Sequence, residues 1–365
     1  MEATKNDLDK ASQLGQPWRQ ESSTPEGTIT MTMPTVTIAC GQYDTTRALF
    51  DGTAAVAGAT VQMHTAHTLP EIFAGMMRRH QFDVSELGLT FYLRALEFSP
   101  HQLPYVAIPA FPNRVFRHSS VFVHADSGIA DPADLVGKTI GEFGIYGQDS
   151  GVWAKGALMD DYGFKPGENR WVIGGLDVPA PPLDFVAHPH PADLDVTAAP
   201  VGKSLGSMLE TGEIDALFTA NVPQCVLDGS PHVQRLFPDY EVVERAYFER
   251  TGVFPIMHAV VISRDLLNTH PAMGRAVYEA FLTAKDIAAE RYRQNLRLYE
   301  VNTMVPWMDA LVERNAAQFG DDWWPYGMSA NRQAIDTYLR YHFEQGLSSR
   351  RWTADEIFLP ELLGT

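Results

Sequence analysis

The run Phe111-Pro-Asn-Arg-Val-Phe-Arg-His-Ser-Ser-Val-Phe-Val123 sets two arginines, a histidine and two hydroxyls between a proline turn and a β-branched, aromatic stretch. Pro112 holds Phe111 extended or in a turn, and Val121-Phe-Val123 has the composition of a buried strand. A polar cluster therefore feeds straight into a strand. Far along the chain, Thr251-Gly-Val-Phe-Pro-Ile-Met-His-Ala-Val-Val-Ile-Ser263 follows the same plan, with a Phe-Pro turn, one histidine and a strand. Two such segments predict the two crossings of a two-domain α/β protein, with Arg114, Arg117, His118 and His258 facing the cleft between domains.

The composition fits this size of fold. With 365 residues, 45% of them hydrophobic, the chain buries one large core or two ordinary ones, and 24 prolines with 28 glycines call for many turns. A formal charge of -17 without a compact basic block argues against nucleic acid and against an anionic membrane surface. An anionic small ligand would then need a local cationic pocket. Cys40 and Cys225 stand far apart with no ligand pattern around them, which suggests reduced thiols and neither a disulfide framework nor a metal site. Residues 1–32 are polar and lack an apolar signal core, so they read as a disordered extension and the protein as cytoplasmic. No apolar run approaches the length of a membrane span.

Outward from the crossings, Val36–Cys40 reads as the first strand, followed by the turn Gly41-Gln-Tyr-Asp-Thr-Thr-Arg47. Ligands of open α/β sheets gather at the carboxyl ends of strands, which makes Tyr43, Asp44 and Arg47 candidates. Asp44 equally suits a helix cap, and Arg47 a solvated helix face. Strand Val61–Thr65 and amphipathic helix Leu69–Gln81 follow. Glu86 ends a short strand in Phe82-Asp-Val-Ser-Glu-Leu, where a cap, an arginine partner and a proton donor are all open roles.

Gly144–Val152 reads as a glycine-rich polar turn without a nucleotide-binding pattern, leading into a helix over Trp153–Tyr162. Tyr146, Gln148 and Ser150 lie where such a helix N-terminus would receive a carboxylate. Trp171–Ala199 is rich in Pro, Gly, Asp and His and reads as a long loop with some extended pieces. Its His188, His190, Asp193 and Asp195 have no regular element to fix a metal-ligand set. A strand over Glu213–Ala220 presents Thr219 and Asn221 at its end. Helices over Met273–Tyr299, Met308–Phe319 and Asn331–Gln345 dominate the C-terminal part, with an aromatic loop, Asp321–Met328, read as domain packing.

Taken together, Phe82-Asp-Val-Ser-Glu-Leu, Phe111-Pro-Asn-Arg-Val-Phe-Arg-His-Ser, Gly212-Glu-Ile-Asp-Ala-Leu, Arg235-Leu-Phe-Pro-Asp-Tyr, Arg250-Thr-Gly-Val-Phe-Pro-Ile-Met-His and Trp324-Pro-Tyr-Gly resemble the 4,5-dihydroxyphthalate decarboxylase family. The likeness covers most of Thr35–Phe358. It implies the type II periplasmic-binding-protein fold, with a first domain of residues 33–116 plus 259–365, a second of 117–258, a cleft between them and extra C-terminal helices. It also implies loss of one carboxylate from a dihydroxylated aromatic diacid. Such chemistry needs a base near the phenol, an acid over the ring carbon and cationic donors for the retained carboxylate, but no redox cofactor. No metal is expected.

His118, His258 and Glu86 are the candidates for proton transfer, and Arg47, Arg114 and Arg117 for carboxylate recognition. Tyr43, Phe91 and Trp153 are candidates to flank the ring, with Asp44, Ser119, Tyr146, Gln148, Thr219 and Asn221 as further contacts. The competing readings are a solute-binding protein for an aromatic acid and a decarboxylase of a related hydroxylated acid or dihydrodiol. The partner is a small aromatic carboxylate in each case. Whether copies of the chain associate into a homo-oligomer stays open.

Overall fold

Short β-branched runs between glycine and proline turns become eleven strands among the described residues, which in this computed structural model are 33–98, 103–298 and 303–365. The extension expected over residues 1–32 lies outside them. The strands are β1 (Thr35–Ala39), β2 (Thr60–His64), β3 (Val84–Gly88), β4 (Tyr105–Ile108), β5 (Val121–His124), β6 (Thr139–Phe143), β7 (Arg170–Gly174), β8 (Asp195–Ala198), β9 (Ala216–Phe218), β10 (Val233–Arg235) and β11 (His258–Ser263). The helices are α1 (Asp44–Phe50), α2 (Leu69–Arg79), α3 (Leu89–Phe98), α4 (Asp149–Tyr162), α5 (Leu205–Glu210), α6 (Gln224–Leu227), α7 (Tyr240–Thr251), α8 (Arg264–Thr269), α9 (Met273–Leu298), α10 (Met308–Phe319), α11 (Arg332–Glu344) and α12 (Ala354–Ile357).

The first sheet runs β2-β1-β3-β11-β4 and the second β10-β5-β9-β6-β7-β8. The chain leaves the first sheet after β4, builds the second from β5 to β10, and comes back as β11. That strand inserts antiparallel between β3 and β4. Its Val260 and Ile262 are fully buried, each worth roughly 1.5–3 kcal/mol against exposure. The two crossings lie side by side. Arg114 bridges to Ile256, the Val115 N–H donates to the Pro255 carbonyl at 3.2 Å, and the Met257 N–H donates to the Asn113 carbonyl at 3.0 Å.

The C-terminal helices tie the two sheets further. Helix α11 packs on α4 so closely that a Cβ at Gly156 would meet the Tyr341 ring at 2.1 Å. Beyond α12 the chain returns to the first sheet, where the Leu359 N–H donates to the Ala107 carbonyl at 2.8 Å.

Two expectations change here. The segment Trp171–Ala199 is framed by true strands, since β7 and β8 extend the second sheet in parallel register. A buried run as short as Trp171-Val-Ile carries no alternation to reveal it. Helix α4 begins at Asp149, four residues ahead of Trp153. Gly151 disguised that first turn as a loop. A Cβ there would lie 1.7 Å from Glu142 Oε1, so the helix needs glycine for space and not for turning.

Candidate active site

Glu86 sits in β3 with no exposed surface, and a buried carboxylate must be paired or hydrogen-bonded to remain charged. Three donors surround it. The Gly41 N–H reaches Oε2 at 2.8 Å, the Tyr43 hydroxyl reaches Oε1 at 2.9 Å, and His258 Nδ1 lies 2.6 Å from Oε1. The sheet explains the last contact. His258 stands opposite Gly88 in the β3–β11 ladder, and Glu86 is two residues along on the same face. With no side chain opposite it, the imidazole leans toward the carboxylate.

The turn after β1 completes the set. Tyr43 caps α1 and folds its ring back over Gly41, where a Cβ would meet the ring at 2.4 Å. Its hydroxyl also receives a bond from Asn113 Nδ2 at 3.3 Å, which ties the first crossing to β1. Burial, and then the Glu86 charge, raises the Tyr43 phenol far above its ordinary value, so it stays a neutral donor. His258 spends Nδ1 on Glu86, and Nε2 takes no hydrogen bond from the described residues. The side chain keeps 11% of its surface exposed, and Phe73 packs edge-on against the ring at 5.2 Å. A carboxylate-held imidazole with its second nitrogen free is the arrangement of a general acid or base.

Two further charged groups border this pair. Asp149, in the first turn of α4, accepts from the Thr90 N–H at 2.7 Å and the Tyr338 hydroxyl at 2.9 Å, both at Oδ1. Its Oδ2 lies 2.3 Å from where a Gly88 Cβ would stand, so Gly88 is the hole that admits it. Burial raises the Asp149 carboxyl above the ordinary range, opposed by the nearby charge of His258. Arg117, on the first crossing, donates from Nε to Met257 Sδ at 3.2 Å and from one terminal nitrogen to the Ala220 carbonyl at 3.1 Å. The other terminal nitrogen is unspent among the described residues. Burial pulls the guanidinium down to about 10, which leaves it cationic at neutrality.

The remaining candidates divide. Phe91 joins a row of rings, 4.8 Å from Phe185 and 5.7 Å from Phe73, that ends at His258. Thr219 is buried next to Ala220, whose carbonyl Arg117 uses, and accepts from the Asn221 N–H at 3.2 Å, with Asn221 exposed. The Ser119 N–H donates to Glu244 at 2.9 Å. Gln148 caps α4 and is bonded to Ser150.

Others have different surroundings. Arg114 donates to the Pro325 and Phe254 carbonyls at 3.0 and 2.8 Å, so its terminal nitrogens are already engaged. Trp153 donates to the Ile256 carbonyl at 2.8 Å and packs edge-on to Tyr341. Tyr146 lies under Lys155, whose ammonium is 3.8 Å from the ring centre and 2.5 Å from Glu142. Asp44 accepts from the Tyr292 hydroxyl at 2.5 Å, and Arg47 is exposed on α1. His118 is buried between Phe237 and Tyr247 with neither ring nitrogen bonded among the described residues. It does not join the His258 cluster.

Asp149 and Asn113 are the site residues that sequence reasoning missed. Asn113 stands inside the stretch that marks the first crossing. Asp149 stood in view as an acidic residue opening a helix, but the glycines around it made the segment read as a loop. A separate cavity of about 400 Å³ lies among α7, α9 and α10, with Phe116, Phe254 and Trp324 in its wall. Asp44, Glu241 and Glu244 also line it against the single cation Arg245, a balance that opposes a dianion. Among the described residues no three His, Cys, Asp or Glu side chains gather to hold a metal, and no helix is long and apolar enough to cross a membrane.

Two sheets joined by adjacent crossings, with polar groups converging where they meet, define a two-domain α/β protein of the periplasmic-binding-protein kind. Solved structures agree on the fold. A putative periplasmic sulfonate-binding protein from Methylobacillus flagellatus aligns with a TM-score of 0.51 at 14% identity, over 91% of this chain and 93% of its own. The alkanesulfonate-binding protein from Xanthomonas axonopodis pv. citri aligns at 0.50 and 13%, over 89% and 98%. No family model matches. Curated relatives are more informative. A 4,5-dihydroxyphthalate decarboxylase from Comamonas testosteroni is 33% identical over 328 residues, 90% of this chain and 97% of its own. Another, from Pseudomonas putida, is 35% identical over 211 residues, 58% of this chain and 80% of its own. The chain belongs to the 4,5-dihydroxyphthalate decarboxylase family.

Proposed function

We propose that this protein is a carboxy-lyase that converts 4,5-dihydroxyphthalate to protocatechuate, using Glu86 and His258 to deliver the proton that replaces CO₂. The observation that carries the reading is the 2.6 Å Glu86–His258 contact, buried on one side and ending in a free Nε2 on the other. The ring lies between the half built from residues 33–116 and 259–365 and the half built from 117–258. The uncommitted nitrogen of Arg117 holds the retained carboxylate.

Once the hydroxyl para to the leaving group is deprotonated, electron density reaches the carbon that bears the carboxylate. That carbon takes the proton from His258 Nε2. The C–C bond then breaks, its electron pair returns to the ring, CO₂ departs and aromaticity is restored. Glu86 holds the imidazole in register and stabilises its cationic form. The row Phe73, Phe91 and Phe185 keeps the neighbourhood of the leaving group dry.

The test is to incubate the protein with 4,5-dihydroxyphthalate in D₂O. Release of CO₂ and protocatechuate carrying deuterium at the former carboxylate carbon is the expected result. Substrate recovered unchanged at stoichiometric occupancy would mark a binding protein instead.

A further inference from the structure

Asp149 is a costly residue that the proton delivery described above leaves unused. It is 3% exposed, and a carboxylate so enclosed is tolerated when its oxygens find donors. Only Oδ1 does, with the Thr90 N–H and the Tyr338 hydroxyl. Oδ2 has no donor among the described residues and is not sealed from solvent. It occupies the space that Gly88 leaves empty, and Gly88 is the direct cross-strand partner of His258. The fold has therefore brought a helix from the second sheet to place one carboxylate oxygen, unsatisfied among the described residues, where the charges of His258 and Arg117 both act on it. A purely structural clamp between α3, α4 and α11 needs Oδ1 alone.

We infer that Asp149 Oδ2 is the acceptor for the substrate hydroxyl para to the leaving carboxylate, and so the residue that selects hydroxylated diacids over plain ones. The inference rests on the decarboxylase reading. In the reaction Asp149 first accepts the hydroxyl hydrogen bond and then the proton. The phenolic O–H breaks, a carboxyl O–H forms, and the electron pair stays on the ring oxygen. After His258 protonates the ring carbon and CO₂ leaves, the phenolate takes its proton back from Asp149 and solvent reprotonates His258. Nothing is oxidised or reduced. Burial, by raising the Asp149 carboxyl, brings it nearer the phenol it must exchange a proton with. A hydroxyl-free ring would leave Oδ2 desolvated and unpaired, which is how a polar site rejects an analogue that lacks the matching group.

The experiment measures affinities of the wild-type protein for phthalate, 4-hydroxyphthalate and 4,5-dihydroxyphthalate, by calorimetry for acids it leaves intact and from the concentration dependence of single-turnover rates for acids it converts, and repeats them with Asp149→Asn. The wild type should prefer the dihydroxy acid over phthalate by roughly 10- to 100-fold. In Asp149→Asn that preference should shrink while phthalate binds as before, and the turnover number should fall more than KM rises. A merely structural role would weaken all three ligands alike. Equal affinities across the wild-type series would overturn the inference even if the variant failed to fold. An unchanged preference and turnover in a folded variant would overturn it too. If instead the wild type binds these acids and releases no CO₂, the decarboxylase reading itself fails, a result the affinity series cannot produce.

Discussion

Each crossing carries one buried histidine, and the surroundings of the two differ in kind. At the second crossing His258 meets a carboxylate through Nδ1, keeps Nε2 free among the described residues and retains a little exposed surface. At the first, His118 is enclosed by Phe237 and Tyr247 with neither nitrogen bonded among the described residues. Burial pulls it down to about 4, with Asp161 and Arg250 exerting smaller and opposed effects. A histidine becomes a proton carrier when a partner stabilises its cation and leaves one nitrogen accessible. His118 has neither advantage, and its surroundings are those of a neutral packing residue.

The largest effect should come from breaking this asymmetry directly. His258→Gln keeps the shape and one hydrogen-bonding end but cannot cycle a proton, and turnover should fall by roughly 10²- to 10⁴-fold with substrate affinity little changed. His118→Gln should turn over like the wild type. Single-turnover kinetics with 4,5-dihydroxyphthalate would check both. Equal losses in the two variants would mean that the crossings share the chemistry.

The next effect separates the histidines by stability. Folding depresses the pKa of His118 from its ordinary 6.5 to about 4, so its contribution to stability is complete above 6.5 and is lost as pH falls through that window. The full loss is on the order of 3 kcal/mol below pH 4, since a tenfold change in proton affinity is worth about 1.4 kcal/mol. His118→Phe removes the titration and suits the aromatic slot. Urea denaturation of the two proteins at pH 7 and pH 4.5 should show a smaller acid loss in the variant, and parallel losses would mean that His118 titrates like an ordinary surface histidine.

These contrasts also mark how far sequence reading reached. The crossings, a strand at Glu86 and the C-terminal helices were legible because strand composition, turn residues and helical period are local signals, although that strand runs on to Gly88 where the sequence suggested an end at Glu86. The family likeness was legible too. What escaped depended on distance in space. Nothing local separates His118 from His258, because the difference is made by Glu86, 172 residues from His258, and by Phe237 and Tyr247. Asp149 needed the space at Gly88 before its position had meaning. The arginines show the same limit, since Arg114 and Arg117 read alike in the sequence and differ only in the partners that the fold brings to them.

That pair supplies the smallest contrast. Arg114 gives its two terminal nitrogens to Pro325 and Phe254 and lies 4.9 Å from the Phe254 ring centre. Its work is to pin the aromatic loop against the second crossing. Burial pulls it down to about 9, still cationic at neutrality, so truncation removes a charge whose partners are backbone carbonyls. Arg117 keeps a terminal nitrogen uncommitted and shares its field with Asp149 and Glu244. Arg117→Ala should therefore raise KM about tenfold or somewhat more, the range for one charge-assisted hydrogen bond, with a modest change in melting temperature. Arg114→Ala should do the reverse, costing about 1–3 kcal/mol of stability through two orphaned carbonyls while KM stays near the wild-type value. Steady-state kinetics and thermal melts on the same samples would decide it. A KM rise in Arg114→Ala with unchanged stability would place that guanidinium on the substrate and leave Arg117 as the staple.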